Sequence, residues 1–247
     1  LRGRMTKQSA FLPSSDCFVP RNDDNGGLFG QLHVITLNMK QLTVPKININ
    51  TEHFDYYTLG QQLKNLPSHS ISEVNWPADY PYCPSVKFQA AHNDTAIFLH
   101  YTVEEEFVKA QFVRPNESVW EDSCVEFFLS FDKQHYYNFE FNVLGTGLIG
   151  YGTEVKAERT RLSAEEILKV KTTTSVVNVE SKKSWSIILV IPTELLGKEQ
   201  LSGTKAYANF YKCGDGLPTP HFISWNRIEH PTPNFHLPTF FGEIQFQ

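Results

Sequence analysis

With 247 residues, a net charge of −5 and 13% aromatic side chains, the chain is long enough for one large all-β domain and offers no basic surface suited to a phosphate backbone. No run approaches the roughly 20 apolar residues that cross a bilayer as a helix. Arg2 and Arg4 are not followed by a signal core either, because Leu28 to Leu37 is interrupted by Gly30, Gln31 and His33, so nucleic acid and a membrane span are not expected and cellular location stays open.

Residues 1–38 are rich in Gly, Pro, Asn, Asp and Ser without sustained periodicity, which predicts a disordered extension ahead of a folded unit over 39–247 that starts near Met39. Within the extension, Asn22-Asp23-Asp24-Asn25-Gly26 resembles part of a calcium loop, but Leu32 stands where the bidentate Glu belongs. It reads as a polar linker, and structural calcium is not predicted.

From Leu42 and Val44 through Ile47 and Ile49 the pattern turns to alternation. A short helix follows near Phe54 to Leu66, and Trp76, just before Pro77, anchors the entry of the chain. Short apolar runs of period two then predict strands at 85–91, 95–103, 123–131, 136–144, 147–152, 170–180, 184–191, 205–212, 221–226 and 240–246. Turn chemistry separates them at His92-Asn93-Asp94 and Cys213-Gly214-Asp215-Gly216. Ser163 with Glu166 three residues on reads as a capping box opening a second helix, and Pro192 to Leu196, stopped by Gly197, as a third. Trp185, flanked by Ile187 and Leu189, belongs to the core. The fold class is all-β: an antiparallel two-sheet sandwich with a few short peripheral helices.

The most informative stretch is Trp120-Glu121-Asp122-Ser123-Cys124-Val125-Glu126-Phe127-Phe128, followed by Tyr136 to Val143. Read as a hairpin, it turns Val125, Phe127, Leu129 and Phe131 to one face with Tyr137, Phe139, Phe141 and Val143. The other face displays Asp122, Cys124, Glu126 and Phe128 beside Asn138, Glu140 and Asn142. A loop of residues 132–136 sets Glu126 opposite Asn142 and Phe128 opposite Glu140. Carboxylate, amide and a nearby indole are what a sugar requires, since hydroxyls pair with carboxylate and amide groups and the C–H face of the ring stacks on an aromatic. Structural roles for Trp120 in the core and for Glu126 in a hydrogen-bond network remain open alternatives.

These residues resemble the "W-x-D-D-S-V-E-x-F" strand of the family 9 carbohydrate-binding modules, in particular the stand-alone family 9-like proteins of gut Bacteroidetes. Tyr137 to Asn142, Ser224-Trp225-Asn226-Arg227, Phe235-His236-Leu237-Pro238 and Phe240-Phe241-Gly242 add to the likeness, which covers about residues 75–247. It implies a DOMON-like β-sandwich that grips a mono- or oligosaccharide in the service of polysaccharide catabolism. Trp120 and Trp225 would be the stacking platforms, Glu126 a hydroxyl acceptor, and Asn142 and Arg227 further hydroxyl partners. The stretch Pro231 to Pro238 is an extra loop relative to a compact module and is placed to cover the groove.

Three other functions stand as alternatives. Glu126 and Glu140 on one face imitate a glycosidase pair, for which a separation of about 5 to 5.5 Å favours retention. A DOMON-like haem role would want an axial Met, but Met5 and Met39 both precede the sandwich. A sandwich used only for protein contacts would show an occluded groove and a buried Trp225. His100, His135, His221, His230 and His236 form no ligand spacing, and Cys17, Cys83, Cys124 and Cys213 no zinc motif. The thiols read as buried and free, with a Cys124 to Cys213 disulfide as the alternative. No P-loop, G-x-S-x-G or dinucleotide fingerprint occurs. The expectation is a non-catalytic carbohydrate-binding protein without a cofactor, its oligomeric state open.

Overall fold

Ala96 to Val103 is apolar or aromatic at almost every position, which a strand can satisfy only if both of its faces are covered. The computed structural model describes residues 39–179 and 182–247 and supplies both covers. In chain order the strands are β1 (Gln41–Val44), β2 (His69–Ser70), β3 (Glu73–Val74), β4 (Ser85–His92), β5 (Ala96–Glu105), β6 (Cys124–Ser130), β7 (Tyr136–Asn142), β8 (Gly147–Gly152) and β9 (Thr160–Arg161). They continue with β10 (Lys171–Val179), β11 (Lys182–Pro192), β12 (Lys205–Cys213), β13 (Phe222–Ser224) and β14 (Gly242–Phe246). Helix α1 (Tyr56–Lys64) precedes β2, and α2 (Ala164–Ile167) precedes β10.

Among the described residues these strands form two sheets. One runs β1-β14-β12-β6-β7-β8-β9, with β13 paired to β12 and β3; the other runs β10-β11-β5-β4-β2. The expected sandwich is therefore present. Its neighbouring strands pair antiparallel apart from β1 on β14. Leu99, Tyr101 and Val103 of β5 meet Phe127, Phe139 and Phe210 of the larger sheet in the central core. On the other side of β5, Ala96 and Phe98 pack with Leu59 and Leu63 of α1. That second cover explains the unbroken apolar run.

The local signals are obeyed where they are strongest. Asp55 caps α1 by accepting from Thr58 N at 2.8 Å. Ser163 and Glu166 form the reciprocal capping box, and Gly197 stops a 3₁₀ turn, rather than an α-helix, at Thr193–Leu196 in the left-handed region. Trp185 is buried, and Trp76 donates its indole N–H to His230 O at 2.7 Å. Cys124 and Cys213 are both buried and free, so they do not form the alternative disulfide. The calcium-like run and Cys17 lie outside the described residues.

The hairpin register differs from expectation by two residues. Glu126 pairs with Glu140, Cys124 with Asn142 and Phe128 with Asn138. The cause is the turn: Ser130 Oγ donates to His135 O at 2.7 Å and accepts from Lys133 N at 2.8 Å, while Asp132 Oδ1 accepts from Gln134 N and His135 N, each at 2.7 Å. With Lys133 left-handed at φ 66°, the loop closes between Ser130 and Tyr136. An even slip preserves the faces, so the core side was read correctly while the polar pairs were not.

Candidate functional site

Over the outer face of the larger sheet lies a cavity of about 430 Å³. Its floor comes from alternate residues of four strands: Glu126 of β6, Asn138 and Glu140 of β7, Leu148 and Gly150 of β8, and Cys213 of β12. Trp120, from the 3₁₀ turn Val119–Glu121, forms one wall, and Phe222 with the Pro233 to His236 stretch forms another. Lys156, Arg159, Thr160 and Arg161 close the β8–β9 side, and Asp215 stands beside Cys213. The loop expected to cover the groove thus lines it.

The turn that carries Trp120 is held from beneath. Asp122 is fully buried and accepts from Gln111 N at 2.9 Å, Phe112 N at 2.9 Å and Asn142 Nδ2 at 2.9 Å. Asn142 also donates to Phe112 O at 2.8 Å and accepts from Leu144 N and Thr146 N at 3.1 and 3.0 Å. Its amide is spent on the framework, and it is not among the residues that line the cavity. Trp120 itself is half-buried, and the Arg161 guanidinium lies 5.8 Å from its ring centre.

Two other expected partners also fall elsewhere. Trp225 is buried between the sheets, edge-on to Phe210 and Phe88 with ring centres 5.5 and 6.1 Å away. As Trp225 N bonds Phe210 O at 2.8 Å, the strand phase that admits Ser224 to the outer face turns the indole inward. Arg227 is exposed and faces Glu229 at 3.6 Å. A buried Trp225 was to accompany an occluded groove, yet the groove here is open enough to enclose the cavity described.

A chain of contacts orders the floor. The Arg159 guanidinium sits 4.0 Å over the Tyr136 ring, donates to Thr153 O at 2.7 Å and Gly152 O at 3.0 Å, and also bonds Asn138 Oδ1. Asn138 Nδ2 in turn donates to Glu140 Oε1 at 2.8 Å. Gly150 makes room for this relay, since a Cβ there would come within 2.6 Å of Asn138 Oδ1. Tyr136 OH bonds His236 Nδ1 at 2.9 Å. Phe235 stacks on Tyr211 with ring centres 4.2 Å apart.

Burial governs the protonation of this floor. It raises the Glu126 carboxyl well above the usual range, reinforced by Cys213 and by Glu140 across the strand pair. Glu140 is raised as well, chiefly by burial, against the opposing pull of the Asn138 amide and of Arg161 and Arg159. Burial lifts Asp215 to about 6 and pushes His236 down to about 3, leaving the imidazole neutral. Glu126, kept protonated by burial, can both donate and accept hydrogen bonds, which an ionised carboxylate cannot.

Asn138 and Glu140 were read from the sequence as facing this side; Arg159, Arg161, Asp215 and Phe235 were not identified as lining it. Arg159 and Arg161 carried a signal, an i,i+2 pair that places both on one face of β9 and its approach. Phe235 and Asp215 sit on loops, where no periodicity points to them.

A family model for carbohydrate-binding family 9 matches residues 58–246. A candidate carbohydrate-binding protein from Bacteroides uniformis ATCC 8492, known from its crystal structure, is 37% identical with a TM-score of 0.77 over 85% of this chain and 100% of that one. Two structures of a family 9 module from Caldicellulosiruptor kristjanssonii, in complex with glucose and with cellotriose, are 16% identical with TM-scores of 0.53. They cover 84% of this chain and 96% and 94% of the module, a likeness of fold. No curated protein matches the chain.

Proposed function

The chain belongs to carbohydrate-binding family 9, and from that premise we propose that it binds a mono- or oligosaccharide in the cavity over its larger sheet. The observation that carries this reading is the pairing, in one hollow, of the half-buried Trp120 indole with the buried carboxyl groups of Glu126 and Glu140. In this reading the C–H face of a sugar ring packs on Trp120, with Phe235 on the facing loop as the second apolar surface. Glu126, Glu140, Asn138 and Asp215 read the hydroxyls, and Arg161, whose Nη1 is engaged by Asn116 O at 2.8 Å, offers its remaining N–H groups.

A cavity of about 430 Å³ falls within the ordinary range for small-ligand sites. The role we assign is capture of a saccharide during polysaccharide breakdown, without cleavage of it. Calorimetry against glucose, cello-oligosaccharides and a broad sugar panel tests the reading. Binding with one sugar per chain, lost in Trp120→Ala, supports it; a panel in which nothing binds overturns it.

A further inference from the structure

We propose that Cys124, Glu126 and Cys213 form a binding site for one thiophilic divalent cation of the zinc or cadmium type, open on the side that faces the cavity.

The register of two strands produces the cluster. Cys124 and Glu126 are two residues apart on β6 and so share its outer face. Cys213 on β12 is the direct cross-strand partner of Cys124. Both thiols and the carboxyl are buried, and one donor atom from each lies within 4.8 Å of the other two. Cys213 Sγ donates to Glu126 Oε1 at 3.0 Å and lies 3.6 Å from Trp120 O.

Those separations suit a metal. Sulfur at about 2.3 Å and oxygen at about 2.0 to 2.2 Å from a tetrahedral zinc ion place the donors roughly 3.5 to 3.8 Å apart. Two sulfurs and one oxygen select a soft or borderline ion over calcium or magnesium, which take oxygen ligands.

Three protein ligands leave the fourth position vacant, which distinguishes such a site from a closed structural one. Glu126 and Cys213 both line the cavity, so that position is reached from it. A divalent ion would supply the positive charge that the deprotonated ligands lack, displacing their protons as it binds. The cluster converges whether or not a sugar enters, so this inference does not rest on the saccharide reading, with which it shares Glu126.

The test uses the whole chain, stripped with a chelator and titrated with Zn²⁺ or Cd²⁺ in the absence of sugar. Expected are one ion per chain, release of about two or more protons in buffers of different ionisation enthalpy, and thiolate-to-cadmium charge-transfer absorption. Cys124→Ser and Cys213→Ser should each weaken binding at least tenfold. X-ray absorption on the wild-type zinc form needs no variant: two sulfur neighbours with oxygen completing the shell support the proposal. A shell without sulfur, a four-sulfur shell, or affinity unchanged in Cys213→Ser overturns it. Saccharide binding is measured separately with chelator present, so that failure of one reading is not mistaken for failure of the other.

Discussion

Glu126 on β6 and Glu140 on β7 are direct cross-strand partners, both buried and both lining the cavity. Two ionised carboxylates directly opposite each other would repel, and burial opposes that state by raising both. The pair can serve saccharide hydroxyls or imitate a hydrolase, and the two roles separate by experiment. Glu126→Gln and Glu140→Gln keep the shape but replace one carboxyl oxygen with an NH2 group that cannot accept, so each is expected to weaken saccharide binding by about 1.5 kcal/mol, near tenfold. The wild type should release no sugar from an aryl glycoside or a polysaccharide. Turnover that both variants abolish would replace the binding assignment with hydrolysis.

Trp120 should dominate the apolar part of recognition. Its turn is anchored by Asp122 beneath, so truncation leaves the framework intact. Trp120→Ala is expected to cost about 2 kcal/mol of saccharide affinity, roughly thirtyfold, with a much smaller change in melting temperature. Equal losses of affinity and stability would mark the indole as a packing residue instead.

Asn142 and Arg227 make the opposite case. Asn142 bonds Asp122 and the backbone of residues 112, 144 and 146, so Asn142→Ala leaves buried partners unpaired. Thermal or denaturant unfolding should show a loss of about 1 to 3 kcal/mol. Arg227→Ala, at an exposed position outside the cavity, should leave saccharide affinity unchanged. A tenfold loss there would restore it to the site.

These contrasts show what period two can and cannot reveal. Alternation along Val125, Phe127 and Leu129 identified the core face and therefore the outer face that carries Glu126, because parity survives any even slip in register. The slip itself depended on Ser130 and Asp132 side chains bonding the turn backbone, a local contact that the strand pattern does not encode. Trp225 illustrates the same limit: likeness of motif made it a platform, whereas its strand phase, pinned through Phe210 O, sends it between the sheets. The wall residues Asp215 and Phe235 meet only after the chain has folded around the sheet. Nothing in their own neighbourhoods marks the hollow they share.

At the end of the sandwich, Lys212 extends into the core from β12 and pairs with Glu105 Oε2 at 2.9 Å, both fully buried. Its ammonium also bonds His221 Nε2 and Cys213 O, each at 2.7 Å, while Glu105 Oε1 accepts from Trp185 Nε1 at 2.7 Å. The network joins the two sheets. Lys212→Ala strands a buried carboxylate and should cost about 3 to 5 kcal/mol. Lys212→Met combined with Glu105→Gln removes both charges and should cost clearly less than the two single losses summed. Additive losses in urea unfolding would show that the ion pair is not the coupling element.

Asp94 gives the fold a dependence on acid. It is left-handed at φ 72°, accepts from Ser202 N at 2.7 Å and Leu201 N at 3.1 Å, and bonds the Lys46 ammonium. The Lys46 ammonium, helped by these backbone donors, holds its carboxyl well below the usual carboxylate range. A carboxyl depressed in the folded state stabilises it fully above the unfolded value near 4, and that contribution is lost as pH falls toward the folded value. Asn at this position keeps an acceptor and tolerates the left-handed backbone, so Asp94→Asn isolates the charge. The variant should be less stable by about 1 kcal/mol at pH 7 in low salt, with the gap to wild type closing as pH drops below 4 and narrowing in high salt. A gap that persists unchanged at pH 3 would assign the effect to lost geometry rather than to the Lys46 charge pair.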